Sequence, residues 1–182
     1  MSNNLVEKKL NAIFSTLRKI EKMLEYFLGV RSKYVGIAAE KITEAALNEL
    51  SRRGGLQLGD EIIPPIKIIG RNIKGKNYEI DILGEDASSR KWIIEVTTYP
   101  IFTISHAEKF YRRVEKWLAD NDERPCFLLI AYEGIDHGLY YFLKDRLSKF
   151  CEEVIILDKL RSEEFLQTCL DKSKYRLDKA PW

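Results

Sequence analysis

Residues 78–100, YEIDILGEDASSRKWIIEVTTYP, contain the pattern that decides the fold. Two runs that alternate apolar and polar side chains, 78–83 and 92–98, stand on either side of the polar segment 84–90. A period of two residues on both sides of a turn is typical of a β-hairpin. The sequence therefore predicts two antiparallel strands here, and the other elements are expected to pack around them.

Two carboxylates, Asp81 and Glu95, stand among the large apolar residues of these strands. Because strand side chains alternate between faces, each run is predicted to have two distinct sides. The predicted faces are Tyr78, Ile80 and Ile82 against Glu79, Asp81 and Leu83, and Trp92, Ile94, Val96 and Thr98 against Ile93, Glu95 and Thr97. Neighbouring half-buried carboxylates repel each other, which raises the pKa of each, and a divalent cation between them removes the repulsion. The hairpin is thus a candidate metal site; alternatively, both carboxylates lie near the ends of solvated strands.

A helix is predicted from about Ser32, which can cap it, to about Arg53. Its buried stripe is expected to comprise Val35, Ala38, Ala39, Ile42, Ala46 and Leu50. Glu40 falls on an adjoining face, where a helix lying along a sheet can lend a carboxylate to a site on the strands. The alternative is that Glu40 pairs with Lys41 or Arg52 on the surface.

The combination of Glu40 on a helix, Asp81 on one strand and Glu95 on the next resembles the motif of the PD-(D/E)XK nuclease superfamily. The resemblance covers residues 35 to about 157. Within the superfamily, this stretch is similar to archaeal and viral nucleases and Holliday-junction resolvases. It implies a restriction-endonuclease-like α/β sandwich, in which helices flank a mixed central β-sheet. It also implies a metal-dependent DNA endonuclease that hydrolyses phosphodiester bonds in duplex or branched DNA.

The resemblance further implies a set of metal ligands. Asp81, Glu95 and the backbone carbonyl of Val96 would hold one ion, and Glu40 would bind a second ion or a metal-bound water. Mg²⁺ (or Mn²⁺) is the expected cofactor, because these ligands are hard oxygens and no cluster of Cys or His accompanies them in the sequence.

Thr97 departs from the family pattern, since it stands where the motif lysine is expected. Its hydroxyl carries no charge and cannot replace an ammonium group that steadies a phosphate or activates water. Lys109 is the preferred substitute on the following helix, with Arg113 next. Lys91 shares the strand parity of Glu95 but lies four residues before it. If neither Lys109 nor Arg113 reaches the site, the chain is expected to be either a slow nuclease or an inactive relative that still binds DNA.

Basic residues are expected to contact nucleic acid only where they cluster, because the formal net charge is just +2. One predicted cluster is a turn after the first strand, and another is the polar side of a helix. The residues proposed for nucleic-acid binding are Arg71, Lys74, Lys76, Lys91, Lys109, Arg112, Arg113 and Lys116. Ordinary solvated surfaces are the alternative for both clusters.

The remaining elements follow from periodicity and breakers. An edge strand is predicted at 66–70, a helix at 105–120, a buried strand at 126–132, a helix at 136–150, a strand at 154–157 and a helix at 162–170. The buried stripe of the helix at 105–120 is predicted to contain Ile104, Ala107, Tyr111, Val114 and Leu118.

Residues 1–30 are predicted to form a long helix with a heptad seam. The seam consists of Val6, Leu10, Ile13, Leu17, Ile20, Leu24 and Phe27. Such a seam favours a homodimer, although packing on its own domain or recruitment of another protein is also open. The predicted organisation is therefore this helix, a nuclease-like domain at 31–170 and a charged tail at 171–182.

Composition is that of an ordinary globular chain: 182 residues, 45% hydrophobic and 32% charged. Cys126, Cys151 and Cys169 are widely spaced and are expected to be buried thiols of an intracellular protein. No apolar run is long enough to cross a membrane, and the N-terminus lacks a signal-peptide core, so a cytoplasmic location and no membrane partner are expected. The alternatives to the endonuclease are an inactive DNA-binding protein of the same fold and a coiled-coil interaction protein.

Overall fold

The computed structural model describes residues 35–99 and 101–170 as a mixed α/β fold. The helices are α1 (35–53), α2 (Ile104–Asp120), α3 (His137–Leu147) and α4 (Lys159–Cys169). The strands are β1 (Leu56–Leu58), β2 (Glu61–Ile63), β3 (Ile66–Lys74), β4 (Glu79–Asp86), β5 (Lys91–Thr97), β6 (Cys126–Ala131) and β7 (Val154–Leu157).

Strands β3 to β7 form a five-stranded sheet in chain order. The pairs β3–β4 and β4–β5 are antiparallel, whereas β5–β6 and β6–β7 are parallel. Each parallel pair is joined through a helix, as parallel strands require. The prediction of an α/β fold with a mixed sheet is confirmed at this level.

Two apolar layers enclose the sheet, because α1 and α4 pack on one face and α2 and α3 on the other. The alternation of β6 shows this division: Leu128 and Ile130 belong to the first layer, and Phe127 and Leu129 to the second. All six residues of β6 are buried, as a strand covered on both faces should be.

The first strand of the sheet is longer than predicted. Instead of ending at Gly70, β3 shifts register between Ile68 and Gly70 and then pairs with β4 as far as Lys74. Arg71 and Lys74 therefore lie on a strand, whereas a basic turn was expected. The short antiparallel hairpin of β1 and β2 was not predicted, although Gly59, with φ of 60°, provides its turn.

Two helices differ from their predicted form. On α2 the buried residues are Ala107, Phe110, Val114 and Trp117, while Ile104 is 54% exposed. The two large aromatic side chains take the core positions, which rotates the helix relative to the predicted stripe. Helix α4 begins at Lys159, earlier than expected, because the Asp158 side chain caps it by accepting the backbone N–H of Arg161.

All three cysteines are buried free thiols, as expected. Among the described residues, none of the helices has the length and apolar character needed to cross a membrane. The predicted heptad helix at 1–30 and the charged tail at 171–182 lie outside the described residues.

Candidate functional site

The strands of the central hairpin part at Asp81. Residues Ile82 to Glu85 of β4 pair with β5, and this pairing ends at Ile82, next to Asp81. The Asp81 carboxylate then accepts a hydrogen bond from the backbone N–H of Val96 at 2.9 Å. A side chain thus replaces a backbone acceptor at this point and is placed beside Glu95.

The same irregularity changes which face each residue occupies. Ile80 belongs to the core layer under α2, whereas Ile82 belongs to the layer under α1. The prediction that these two residues share a face is therefore wrong. Simple alternation fails at Asp81, where the pairing of β4 with β5 ends while its pairing with β3 continues.

Glu95 is a fully buried carboxyl group, with 0% of its side chain exposed. Its Oε2 atom contacts the guanidinium of Arg113, which reaches down from α2. Its Oε1 atom is buried and has no hydrogen-bond donor among the described residues. Burial, reinforced by the negative charge of Asp81, holds the pKa of Glu95 well above its ordinary value, although Arg113 opposes that shift.

Asp81 is subject to the same forces in weaker form. Burial raises its pKa, while the hydrogen bond from Val96 and the charge of Arg113 act in the opposite direction. The Arg113 Nη1 atom is 4.0 Å from Asp81 Oδ1. A proton lying between the carboxyl groups of Asp81 and Glu95 would give the otherwise unpartnered oxygen of Glu95 a hydrogen bond.

Glu40 lies on the α1 side of Asp81. The two carboxylates line a cavity of about 420 Å³. Burial raises the pKa of Glu40, and the charges of Asp81 and Glu79 raise it further. The other residues lining the cavity are Ile37, Lys41, Glu44, Arg71, Asn72 and Ile82.

The structure therefore brings Asp81 next to both Glu95 and Glu40. Within the described part of the chain, however, no group of three His, Cys, Asp or Glu side chains lies close enough together to bind one metal ion. The Asp81–Glu95 pair still fits one oxygen-preferring divalent cation, because its donors are carboxylates and one buried oxygen of Glu95 lacks a partner. Such an ion would also offset the repulsion between the two carboxylates.

Thr97 contributes no charge to this site. Its side chain is nearly buried, and its hydroxyl accepts the backbone N–H of Tyr99 at 3.4 Å. The cation in contact with the carboxylate pair is Arg113, which was the second choice from the sequence. Lys109, the first choice, is exposed and lines a groove next to the pair.

That groove, which we call the basic groove, is a cavity of about 540 Å³ between α2 and the β3–β4 loop. A hydrogen bond joins α2 to this loop: the Nζ atom of Lys116 donates to the carbonyl oxygen of Asn77 at 3.0 Å. Six cations line the groove against one lining carboxylate, Glu79, which gives it a positive excess. Three of these cations also pair with carboxylates: Lys74 with Glu79, Arg112 with Glu108 and Arg113 with Glu95. The lining residues are Lys74, Gly75, Lys76, Asn77, Tyr78, Glu79, Lys109, Arg112, Arg113 and Lys116.

Two of the predicted nucleic-acid contacts lie elsewhere. Arg71 pairs with Glu44 beside the cavity that contains Glu40. Lys91 pairs with Glu85 where β5 begins. Neither cation lines the basic groove.

Comparisons with known proteins add only distant similarities. No protein-family model matches the chain, and no curated protein sequence matches it. Among solved structures, a repair endonuclease from Pyrococcus abyssi is 18% identical, with a TM-score of 0.41 over 52% of this chain and 39% of that one. An EndoMS–dsDNA complex is 15% identical, with a TM-score of 0.41 over 52% of this chain and 37% of that one. The chain thus spans well under half the length of either protein.

Proposed function

We propose that this chain is a divalent-metal-dependent endonuclease of restriction-endonuclease-like fold that hydrolyses phosphodiester bonds in DNA. The observation that carries the proposal is the Asp81–Glu95 pair, in which half-buried Asp81 lies beside fully buried Glu95, and one oxygen of Glu95 has no hydrogen-bond partner among the described residues. The basic groove supports it, because Arg113 belongs to both the groove and the pair. A phosphate held in the groove would therefore lie close to the carboxylates.

Asp81 and Glu95 would hold Mg²⁺ or Mn²⁺ together with the backbone carbonyl of Val96. When bound, the ion would neutralise charge on the attacked phosphate and lower the pKa of a nucleophilic water. Glu40 approaches Asp81 from α1 and would orient that water or hold a second ion. The hydrogen bond from Val96 fixes the Asp81 carboxylate, so its free oxygen keeps one direction.

Arg113 and Lys109 would together replace the motif lysine, which in the family steadies the phosphate or activates the attacking water. They lie four residues apart on α2 and so project from the same side of the helix. A guanidinium cannot act as a base, since it stays protonated in proteins. Arg113 is therefore proposed to stabilise charge on the phosphate, and Lys109 to contact the phosphate from the basic groove.

The DNA backbone is proposed to follow the basic groove through Lys74, Lys76, Arg112 and Lys116. Cations that neutralise phosphates release counterions, which supplies affinity without sequence preference. Dimerisation through residues 1–30 and action in the cytoplasm remain part of the proposal. Two active sites on one duplex or junction would follow from such a dimer.

A catalytically inactive DNA-binding protein is the second candidate function. It is favoured by the contact of Arg113 with Glu95, because a carboxylate already neutralised by a guanidinium attracts a metal ion less strongly. Thr97, which leaves the motif position without an ammonium group, points the same way. The third candidate, a coiled-coil interaction protein, depends entirely on residues 1–30.

A cleavage assay on linear, supercoiled and branched DNA with Mg²⁺ or Mn²⁺ separates these functions. Asp81→Asn keeps an oxygen for the Val96 N–H but removes the charge, so it should abolish cutting. The control is Asp145→Asn, an exposed carboxylate paired with Lys149 on α3, which should cut normally. Retarded DNA mobility without cutting would establish the inactive binder, and cutting that survives Asp81→Asn would refute the proposed site.

A further inference from the structure

Arg113 holds a position that a metal ion would have to share. Its guanidinium contacts Glu95 Oε2 and lies 4.0 Å from Asp81 Oδ1, so it touches one carboxylate and faces the other. Its side chain is 31% exposed, whereas that of Glu95 is 0% exposed. The same side chain lines the basic groove and lies 5.6 Å from the ring of Phe110. Arg113 therefore connects the buried pair with the open groove.

The charges of this arrangement decide what happens when an ion arrives. Arg113 is the cation in contact with buried Glu95 in the described part of the chain. A divalent cation on the unpartnered Oε1 atom would neutralise the same negative charge. Guanidinium and metal ion would then lie close together in a poorly solvated place, where like charges repel strongly.

The basic groove offers Arg113 another position. Because its side chain already lines the groove, a change in its own torsions would turn the guanidinium outward. There it would meet a phosphate, for which its fork of N–H donors is well suited.

We propose that Arg113 and the divalent cation compete for Glu95. Arg113 closes the site when no ion is bound, and metal binding releases it into the groove. This inference rests on the metal site of the proposed function. A phosphate in the groove draws Arg113 away from Glu95 and thereby favours the ion, and by reciprocity the ion favours the phosphate.

Mn²⁺ titration of the full chain by calorimetry tests the competition. Arg113→Gln should bind Mn²⁺ about tenfold more tightly than the wild type, since one opposing charge interaction is removed. Arg113→Lys, which keeps the charge, should remain within about threefold of the wild type. An unchanged or weaker affinity in Arg113→Gln, or no Mn²⁺ binding by either protein, would overturn the proposal.

Arg112→Gln is the matched control. Arg112 is the adjacent residue on α2, is exposed and pairs with Glu108 at 3.6 Å rather than with the carboxylate pair. Its loss removes the same charge from the same helix, and screening by solvent should keep the Mn²⁺ affinity within about twofold of the wild type. An equal tightening in Arg112→Gln would mean that general charge, not contact with Glu95, controls the affinity.

A second measurement needs only the wild-type protein, in case Arg113→Gln fails to fold. The affinity for Mn²⁺ is measured with and without a short DNA duplex, after subtracting the Mn²⁺ that the duplex binds alone. The duplex should tighten Mn²⁺ binding several-fold, and the absence of tightening would overturn the competition.

DNA cleavage is scored separately. If Arg113 competes with Mn²⁺ but the protein does not cleave DNA, the inference stands and the proposed hydrolysis is wrong. If the protein cleaves DNA but Arg113 does not compete with Mn²⁺, the proposed hydrolysis stands and the inference is wrong.

Discussion

The Asp81 carboxylate accepts the backbone N–H of Val96 at 2.9 Å, where a regular ladder would present a carbonyl oxygen. This bond allows β4 and β5 to part without leaving the N–H of Val96 unpaired. It also fixes the carboxylate directly beside Glu95. The hydrogen bond that lets the strands separate therefore also brings two carboxylates close enough to repel each other.

Divalent metal ions should stabilise the wild-type protein through this pair. An ion that binds only the folded state at a concentration of one hundred times its dissociation constant adds about 2.7 kcal/mol to the free energy of unfolding. Thermal melting with Mn²⁺ or with EDTA measures the effect. Asp81→Asn should lose the stabilisation, whereas Asp145→Asn should keep it. A shift that survives Asp81→Asn would place the ion elsewhere.

Glu95→Gln should change how stability depends on pH. The folded-state pKa of Glu95 is raised, so the folded protein binds more protons than the unfolded chain between the two pKa values. Without metal, wild-type stability should then fall as pH rises from about 4.3, the ordinary value for Glu, through the raised folded-state pKa. The amide of Gln cannot ionise, yet it can accept from Arg113 and donate to Asp81.

Urea denaturation of both proteins in EDTA across that pH range measures the difference. Glu95→Gln should lack this loss and be more stable than the wild type at the upper end of the window. At acid pH the two proteins should converge. Parallel pH profiles would show that Arg113 keeps Glu95 ionised throughout.

The broad architecture was readable from the sequence because its signals are local. The run CFLLIAY predicted the buried strand β6, and alternation predicted β4 and β5, since burial on two faces or one leaves distinct patterns. Asp81 lies beside Glu95 and lines a cavity with Glu40, but among the described residues the three carboxylates are not gathered into one cluster.

Other features depend on contacts that local patterns do not contain. The parting of the strands at Asp81 comes from one side chain bonding to Val96, and alternation alone cannot reveal it. The rotation of α2 depends on how Phe110 and Trp117 fit the core, and this rotation brings Arg113 to Glu95. Lys109, the substitute preferred from the sequence, is instead exposed in the basic groove.

DNA binding should depend on salt through the cations of the basic groove. Lys109 and Arg112 both line it, and each phosphate contact contributes about 0.9 to the slope of log K against log salt. The double variant Lys109→Gln with Arg112→Gln should therefore reduce the slope by about 2. Fluorescence anisotropy with a labelled duplex over a range of NaCl concentrations gives this slope. Arg146→Gln on α3 is the control and should leave it unchanged.

Asp86 should be the most costly carboxylate to remove from the hairpin. Its side chain is almost fully buried and accepts from Trp92 Nε1 at 3.0 Å, Arg90 Nε at 2.8 Å and the backbone N–H of Ser88 at 2.8 Å. Although burial alone would raise its pKa, these hydrogen bonds hold the pKa of Asp86 below its ordinary value. Its contribution to stability is thus present above the unfolded-state pKa and is lost as pH falls through the lowered folded-state value.

Asp86→Ala leaves the indole N–H of Trp92 buried without its acceptor and frees Arg90, which also pairs with Glu153 near β7. We expect a loss of about 2 to 4 kcal/mol in the free energy of unfolding at neutral pH, measured by urea denaturation. Asp145→Ala, which removes an exposed pair on α3, should cost less than about 0.5 kcal/mol. Equal losses in the two variants would mean that the hydrogen bonds of Asp86 do not stabilise the hairpin. The loss in Asp86→Ala should shrink as the pH is lowered toward the folded-state pKa of Asp86, because the wild type then loses the same charge.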